Sequence, residues 1–389
     1  MIPSDAFRCI LCDSNRLNEV VVPNNWKGMS SDVQPYRKAY ALWVCAQCGH
    51  IQKKIDNEWL TVIADIYRNY VIYPLSDGKE QVVYKDGRAV SRSKQLLFEV
   101  QKRVMLPDTG KMLDIGCGNG AMLQSFSDLY PNWELAGHEL HDIYQETVLR
   151  IPRVLNFYTG TLEEIEERFD VITLMHVMEH ITTPYEFLEA AKNLLTENGM
   201  LLIQVPDYAS NPFDLMVVDH ASHFTQATLD YMAQRAGFEI VQQASHLLNN
   251  KEWTQLLSPV QGNAVAEVDF AEQTNLEDVQ NRIRWLSEVL KTGEEVLKGS
   301  GGIFGTSTAG TWTQANITAT ITCYVDEDPN RQGNQHNGVN VLAPDSLPVD
   351  LVVYVALPNT IALPIATNVA ERLNRSRGWE GFYPPPLLS

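Results

Sequence analysis

Apolar and polar positions follow two different rhythms through the middle of the chain. Short apolar runs that predict β-strands alternate with segments whose apolar residues recur at helical intervals. The strand-like runs are "KMLDI", "WELAGHEL", "RFDVITLMHVMEHI", which continues into a loop, and "MLLIQVPD". Helical spacing occurs in "SRSKQLLFEVQKRVM" and in "YEFLEAAKNLLTENG", where Gly199 is expected to end the helix. Alternation with short connections predicts a parallel, doubly wound α/β sheet.

The pattern changes after residue 250, where the periodicity fades into a polar stretch. The segment "VQNRIRWLSEVLKTGEEVL" then predicts one connecting helix. Three later segments repeat the order of strand, glycine turn, helix and strand: "GGIFGTSTAGTWTQANI", "ITCYVDEDP" and "VDLVVYVALPNT". The proline-rich end, "RSRGWEGFYPPPLLS", predicts a loosely ordered tail.

The chain is therefore predicted to have several parts, because 389 residues are too many for one ordinary core. We expect an amino-terminal module and connector over residues 1–75, a Rossmann-like doubly wound domain over 76–250, a helical connector over 251–299, and a smaller Rossmann-like α/β domain with the loose tail over 300–389.

The composition narrows the class of protein. The apolar fraction of 44% and the charged fraction of 20% are those of a globular protein. A net charge of −18 argues against a protein that wraps nucleic acid or lies on anionic lipid, because both would repel it. The first residues show no basic and apolar leader, and no run reaches the ~18 to 20 apolar residues that span a bilayer. We expect a cytoplasmic protein.

Four of the six cysteines form two C-x-x-C pairs, Cys9 with Cys12 and Cys45 with Cys48. Two such loops suit tetrahedral coordination of zinc, since each loop supplies two thiolates and the metal replaces a core in a small module. A redox dithiol or a disulfide pair is the alternative, which a reducing cytosol disfavours. A site closed by four cysteines would be structural rather than catalytic.

The stretch "KMLDIGCGNGAML", residues 111–123, predicts a strand, a tight glycine turn and the start of a helix. Gly116, Gly118 and Ala121 also fit the dinucleotide pattern G-x-G-x-x-G/A, so a nicotinamide or flavin enzyme stays open at this point. Asp114, two residues before the first glycine, can reach an ammonium group and would repel a phosphate. Glu139 ends the next strand, where a carboxylate accepts ribose hydroxyls.

Residues 90–245 resemble the class I methyltransferases that use S-adenosylmethionine. The resemblance rests on "LDIGCGNG", "FDVITLMHVMEH" and "GMLLIQVPD", which stand at the spacings of that family. It implies S-adenosylmethionine as cofactor. The residues that it implies as cofactor contacts are Asp114, Gly116, Cys117, Gly118, Glu139, Leu140, Thr161, Leu162, His176 and Tyr70. Tyr70 belongs to "YRNYVIY", which would cover the cofactor, stack on a substrate, or form an apolar clasp between domains.

The order of a four-cysteine module, a methyltransferase unit and a Rossmann-like unit resembles the deoxysugar C-methyltransferases, which act on nucleotide-linked keto sugars. In "VVDHASHF" His220 matches the histidine that serves that family as general base, and Asp219 stands in place of its glutamate. Histidine suits this role because its pKa lies near the operating pH. Further catalytic candidates are His223, His180 and His176, with Glu179 as an orienting carboxylate.

Several functions stay open at this stage. The segment "HVMEH" is more like that of small-molecule and quinone methyltransferases, so O- or N-methylation of a carbohydrate or of another small metabolite is an alternative to sugar C-methylation. A protein of another class, which binds a carbohydrate or a partner without turnover, is the further alternative. The expected partner is a small-molecule substrate, with no nucleic acid and no membrane, and the chain is expected to be a monomer or a homodimer.

Overall fold

The amino-terminal part of the chain forms a small antiparallel sheet and one helix. The computed structural model describes residues 7–72, 74–76, 78–80, 82–85, 88–248, 251–260, 275–348, 350–374 and 381–387. The elements of this first part are β1 (Leu17–Val20), β2 (Gly28–Met29), β3 (Pro35–Tyr36), β4 (Leu42–Cys45), β5 (Ile51–Lys53) and α1 (Asn57–Arg68). Asp56 caps α1 by accepting a hydrogen bond from the Trp59 backbone N–H at 2.9 Å. The helix buries Trp59, Ile63 and Ile66.

The central part is a seven-stranded sheet with helices on its faces. Its elements are β6 (Val82–Lys85), β7 (Arg88–Ser91), α2 (Arg92–Gln101), β8 (Lys111–Ile115), α3 (Ala121–Leu129), β9 (Glu134–Glu139), α4 (Gln145–Leu149), β10 (Val154–Thr159), β11 (Phe169–Met175), α5 (Pro184–Asn193), β12 (Leu195–Pro206), β13 (Ser222–His223), α6 (Gln226–Arg235), β14 (Phe238–Ser245) and β15 (Glu252–Pro259). The strand order is β10-β9-β8-β11-β12-β15-β14, and only β15 runs antiparallel to its neighbours. The predicted doubly wound α/β sheet is thus present, but it is mixed rather than wholly parallel, because β15 enters it in the opposite direction.

Two boundaries differ from the sequence prediction. The helix α5 ends at Asn193, because Leu195 already pairs with Phe169 at the start of β12, so Gly199 lies inside a strand. The strand β15 occupies residues that were predicted to begin the helical connector. Its central positions Thr254 and Gln255 are polar but buried, and therefore they hide the apolar pattern on which strand prediction depends.

The short strand β13 pairs with β5 rather than with the central sheet. The four-stranded sheet of the amino-terminal part therefore has the order β1-β4-β5-β13. Ser222 lies opposite Gln52, and His223 lies opposite Ile51. A boundary at residue 75 consequently separates segments that share one sheet, and the loop that carries the candidate histidines is held by the cysteine-bearing part.

The carboxy-terminal part is a six-stranded sheet that follows a long helix. Its elements are α7 (Asn275–Leu297), β16 (Ser300–Phe304), α8 (Thr308–Asn316), β17 (Thr320–Val325), β18 (Gln335–His336), β19 (Val339–Leu342), β20 (Val353–Tyr354), α9 (Asn359–Asn374) and β21 (Gly381–Phe382). The strand β21 pairs with β20, and the Pro385 carbonyl accepts a 2.9 Å hydrogen bond from the Trp285 indole. Residues 381–387 are therefore packed rather than loose, and residues 375–380 and 388–389 of the predicted tail lie outside the described residues.

A shared apolar cluster joins the amino-terminal and carboxy-terminal parts. Trp26 meets Trp312 edge to face, with ring centroids 5.1 Å apart, and Phe213 of the central part contacts Trp312 at 5.7 Å. The Trp312 indole also donates to the Lys27 carbonyl at 3.0 Å. These contacts hold α8 and the segment after β12 against the amino-terminal part. Within the residues that the structure describes, no helix has the length and apolar character needed to cross a bilayer.

Candidate active site

A cavity of about 530 Å³ lies where the three parts of the chain meet. Its walls include the glycine turn after β8, the ends of β9 and β11, and the loop that carries His220. The amino-terminal part contributes Tyr67 and Tyr70, and the carboxy-terminal part contributes Ser307 and Thr308 at the start of α8. The position agrees with the general rule that open α/β sheets bind ligands at the carboxyl ends of their strands.

The glycine turn has the backbone geometry that the sequence predicts. Gly116 and Gly118 have φ of +70° and +53°, in the left-handed region that favours glycine. Gly116 and Cys117 donate their backbone N–H groups to the His138 carbonyl at 2.9 and 3.1 Å, which ties the turn to β9. The backbone N–H of Gly118 donates to the Glu139 carboxylate at 2.6 Å. The turn therefore borders the cavity with Gly116, Cys117 and Asn119, while Gly118 bonds to Glu139 and is not among the described residues that line the cavity.

Asp114 and Glu139 give the cavity the polar groups expected of a nucleoside and amino-acid ligand. Asp114 is 2% exposed, and its carboxylate accepts a 2.5 Å hydrogen bond from the Thr173 hydroxyl. Burial raises the pKa of Asp114 to about 7, so a bound ammonium group would stabilise its charged form. Glu139 closes β9 beside the glycine turn. These groups fit the amino-acid and ribose ends of S-adenosylmethionine.

The other predicted cofactor contacts divide into two sets. Cys117, Leu140 and Tyr70 line the cavity together with Asp114, Gly116 and Glu139. Thr161 is exposed and Leu162 is buried in an apolar cluster, and neither is among the described residues that line the cavity. The structure therefore places the pair Thr161 and Leu162 outside the cavity wall.

His176 is engaged at both ring nitrogens. Its Nδ1 lies 3.1 Å from the Glu179 carboxylate, and its Nε2 contacts the Arg92 guanidinium. Arg92 also pairs with Glu252 at 2.9 Å. Because a guanidinium only donates, Nε2 must accept and Nδ1 must carry the proton that is donated to Glu179. His176 thus orients its neighbours, and neither nitrogen is open to a substrate. Sequence reasoning missed Arg92, which looks like an ordinary helix residue.

His220 lines the cavity and is held by a carboxylate that sequence reasoning missed. Its Nδ1 lies 2.8 Å from Asp214, on the 3₁₀ turn Pro212–Met216. The predicted partner, Asp219, instead accepts hydrogen bonds from the Ser31 backbone N–H at 2.8 Å and the Ser31 hydroxyl at 2.5 Å. Asp219 is next to His220 in the sequence, but its side chain is hydrogen-bonded to Ser31 and not to the His220 ring. Nothing in the local pattern marks Asp214.

The pair formed by His220 and Asp214 has the charge balance of a base and its stabilising carboxylate. Burial lowers the pKa of His220, but the carboxylates around it, Asp214 first and then Glu179 and Asp219, together outweigh burial and the pKa is raised. Burial likewise raises the pKa of Asp214, and the two histidines beside it outweigh burial and lower it. Asp214 therefore stays ionised. It holds the proton of His220 on Nδ1, which leaves Nε2 able to accept a proton.

The remaining two histidines differ in their access to the cavity. His180 lines it, with Nδ1 at 2.9 Å from the Asp219 carbonyl and 3.0 Å from the Tyr67 hydroxyl. Its ring meets the His220 ring edge to face at 4.8 Å. His223 is 1% exposed and is not among the described cavity residues, so its candidacy as a base that contacts substrate is not supported by the geometry.

The four paired cysteines come together in a separate cluster. The Sγ atoms of Cys9 and Cys48 are 3.5 Å apart, as are those of Cys12 and Cys45, and all four sulfurs lie within 4.8 Å of one another. A disulfide needs a distance of about 2.05 Å, so these are free thiols. Four thiolates around one Zn²⁺, each at about 2.3 Å, require a cluster of this size. The four cysteines therefore fit a zinc ion, and zinc binding stays a prediction.

Metal analysis tests this site. We expect about one zinc per chain after purification without chelators, because the four sulfurs already surround one point. Cys45→Ser should release zinc and make residues 7–60 sensitive to proteolysis before the central sheet, since metal binding and folding of a small module are coupled. Cys323→Ser is the control, because Cys323 is equally buried but lies in β17, far from the cluster. Folded protein that contains no zinc after purification without chelators would contradict the prediction.

Comparisons with known proteins agree with this geometry. Residues 85–243 match a family model described as "Methyltransferase domain". The ubiquinone biosynthesis O-methyltransferase of Glaesserella parasuis is 28% identical over 123 residues, which cover 28% of this chain and 50% of that protein. The protein of the same name from Cereibacter sphaeroides is 25% identical over 184 residues, which cover 41% of this chain and 73% of that protein. This chain thus spans about half the length of the first relative.

The chain is also weakly similar to solved structures. An S-adenosylmethionine-dependent methyltransferase from Clostridium acetobutylicum is 13% identical, with 53% of this chain and 99% of that chain covered and a TM-score of 0.37.

The sheet, the glycine turn and the family match define an α/β domain of the methyltransferase type. Residues 85–243, which match the methyltransferase-domain family, carry this turn and most of this sheet. The predicted resemblance to class I methyltransferases is confirmed for this domain, and the dinucleotide interpretation of the glycine turn is not supported.

Proposed function

We propose that the protein transfers a methyl group from S-adenosylmethionine to a small molecule, with His220 as the general base. The observation that carries this proposal is that one cavity is lined both by Asp114, Gly116 and Glu139 and by His220. The same enclosed space therefore offers groups for the cofactor and a proton acceptor for the substrate. Tyr67 and Tyr70 close it on the amino-terminal side.

The side chains of this cavity supply positioning and proton transfer. Bound S-adenosylmethionine supplies an electrophilic methyl group on a sulfonium. His220 takes the proton of the acceptor through Nε2, and the ionised Asp214 stabilises the imidazolium that forms. Holding the nucleophile about 3 Å from the methyl carbon is worth roughly 7–11 kcal/mol of the barrier. His220 serves equally for a hydroxyl and for a C–H beside a carbonyl.

The acceptor that we favour is a nucleotide-linked sugar. The support lies in the carboxy-terminal wall, where Ser307 and Thr308 begin α8 and expose the amino end of a helix to the cavity. A neighbouring cavity of about 210 Å³ also reaches Ser307 and is lined by Arg92 and Arg331, which pair with Glu252 and Asp326, and by the carboxylates of Asp32 and Glu80. The helix amino terminus is therefore the group that suits an anionic part of the acceptor, such as a diphosphate.

A second candidate is O-methylation of another small metabolite. The curated relatives are named for O-methylation in ubiquinone biosynthesis. The family-model match over residues 85–243 includes the segment after β11 that carries His176, Glu179 and His180. His220 serves this reaction as well, because a base must remove a hydroxyl proton.

Binding and product analysis test the proposed function. We expect calorimetry to show binding of S-adenosylmethionine and S-adenosylhomocysteine but not of NAD. Incubation with methyl-deuterated S-adenosylmethionine and two acceptor panels, nucleoside-diphosphate keto sugars and quinols, should label one panel, as read by mass spectrometry. Cofactor binding without transfer to either panel would favour a non-catalytic binding protein, and binding of NAD alone would overturn the proposal.

A further inference from the structure

Asp214, the carboxylate that holds His220, also contacts a second histidine, His223. His223 in turn contacts Lys53 of the amino-terminal part. We propose that Lys53 and His223 are positioning residues that set the tautomer of His220 through the shared carboxylate of Asp214. The proposal deepens the proposed function, since it rests on His220 as the base. It assigns to the cysteine-bearing part a role inside the active site, beyond holding a structural metal.

The hydrogen bonds fix each proton in turn. The Lys53 Nζ donates to the Leu215 carbonyl at 2.7 Å and lies 3.2 Å from Nε2 of His223. With Lys53 as the donor, His223 Nε2 accepts and the His223 proton must sit on Nδ1. That proton is donated to Asp214 Oδ2 at 2.6 Å.

Asp214 then has one oxygen left for the base. Its Oδ1 accepts from Nδ1 of His220 at 2.8 Å. Both oxygens of the carboxylate are therefore acceptors from imidazoles, and rotation of Asp214 away from His220 would break the bond to His223. The result is that His220 keeps its proton on Nδ1 and exposes a bare Nε2, which is the form that a general base requires.

Burial and strand pairing hold this arrangement in place. Lys53, His223 and Asp214 are 1%, 1% and 3% exposed, so water does not compete for their hydrogen bonds. The backbone N–H of Lys53 donates to the Ala221 carbonyl at 2.9 Å, next to the pairing of β5 with β13. Burying a lysine is costly unless it is paired, which indicates that its contacts with His223 and Leu215 are specific.

Electrostatics give the lysine a second effect. The ionisable groups that face His220 are Asp214, Glu179, Asp219, His180 and His223, and those that face Lys53 are Asp214, Asp219 and His223. Burial, followed by Lys53, lowers the pKa of His223 to about 4, so His223 stays neutral around pH 7. Burial lowers the pKa of Lys53 itself to about 7, against the opposing carboxylates of Asp214 and Asp219, so the lysine is only partly charged near pH 7 and acts on His223 chiefly through its hydrogen bond.

Histidine NMR on the full chain tests the proposal without a known acceptor. Long-range ¹H–¹⁵N correlation of ¹⁵N-histidine protein, assigned with His220→Ala and His223→Ala, should show the Nδ1–H tautomer for both rings near pH 7.5. Lys53→Met should give both rings mixed tautomers near pH 7.5, because Nε2 of His223 loses its donor and Asp214 is then held less firmly towards His220. Ser222→Ala is the matched control, because Ser222 is buried in the same strand but bonds to His50, and it should change neither ring.

Two results would overturn the proposal. One is an unchanged tautomer of His220 in Lys53→Met. The other is a wild-type spectrum in which His223 carries its proton on Nε2, and this measurement decides the matter even where the lysine variant does not fold. Failure of the proposed function would give a different result. The tautomers would then be as expected, but His220→Ala would keep full methyl transfer.

Discussion

Replacing His220 with alanine should lower turnover by a factor on the order of 100 to 10,000, the usual contribution of a positioned base. The affinity for S-adenosylmethionine should change little, because Asp114, the glycine turn and Glu139 lie on other strands. The wild-type rate should fall as the pH drops through the raised pKa of His220, since the imidazolium cannot accept a proton. That dependence should disappear in the variant. Steady-state kinetics across pH, once an acceptor is known, measure both effects.

The two neighbouring aspartates provide a matched pair for this test. Asp214→Asn should reduce turnover strongly, because the amide no longer stabilises the imidazolium and can favour the wrong tautomer of His220. Asp219→Asn should have the smaller effect, since its side chain holds Ser31 rather than the base. The reverse order of effects would return the orienting role to Asp219. Full activity of His220→Ala with an unchanged pH profile would move the base to His180.

Replacing Gly118 with valine should weaken the binding of S-adenosylmethionine by at least about 100-fold, or about 2.7 kcal/mol. A φ of +53° is strongly unfavourable for a β-branched residue, so the turn must rearrange. An added Cβ would also lie 2.2 Å from Cδ1 of Ile72, which lines the cavity, so that side chain would have to rotate away. The hydrogen bond from Gly118 to Glu139 would be strained at the same time. Calorimetry with the purified variant measures the loss.

Gly338→Val separates loss of the site from loss of stability. Gly338 has a similar positive φ of +76°, but an added Cβ there meets no heavy atom within 4 Å. The control should therefore cost stability, on the order of 1–2 kcal/mol, and leave cofactor affinity intact. Equal affinity of Gly118→Val and wild type would place the cofactor elsewhere.

The sequence alone determined the features that depend on neighbouring residues. The glycine turn follows from the backbone conformations that only glycine adopts readily, and the strands β8, β9 and β11 follow from apolar runs that are buried on both faces. The two C-x-x-C pairs predicted a four-cysteine cluster because each short loop offers two sulfurs to one point. The choice of His220 as a candidate came from resemblance, and its position in the cavity agrees with that choice.

Tertiary structure decided the features that depend on residues far apart in the chain. The strand β15 owes its place to pairing with β12 and β14, which outweighs its polar composition. Asp214 rather than Asp219 reaches His220, because the turn at residues 212–216 folds back onto the histidine loop. Lys53 meets His223 only because β5 and β13 pair across 170 positions. No local pattern encodes such contacts, since they are selected by burial and by hydrogen bonds that form only after the parts have packed.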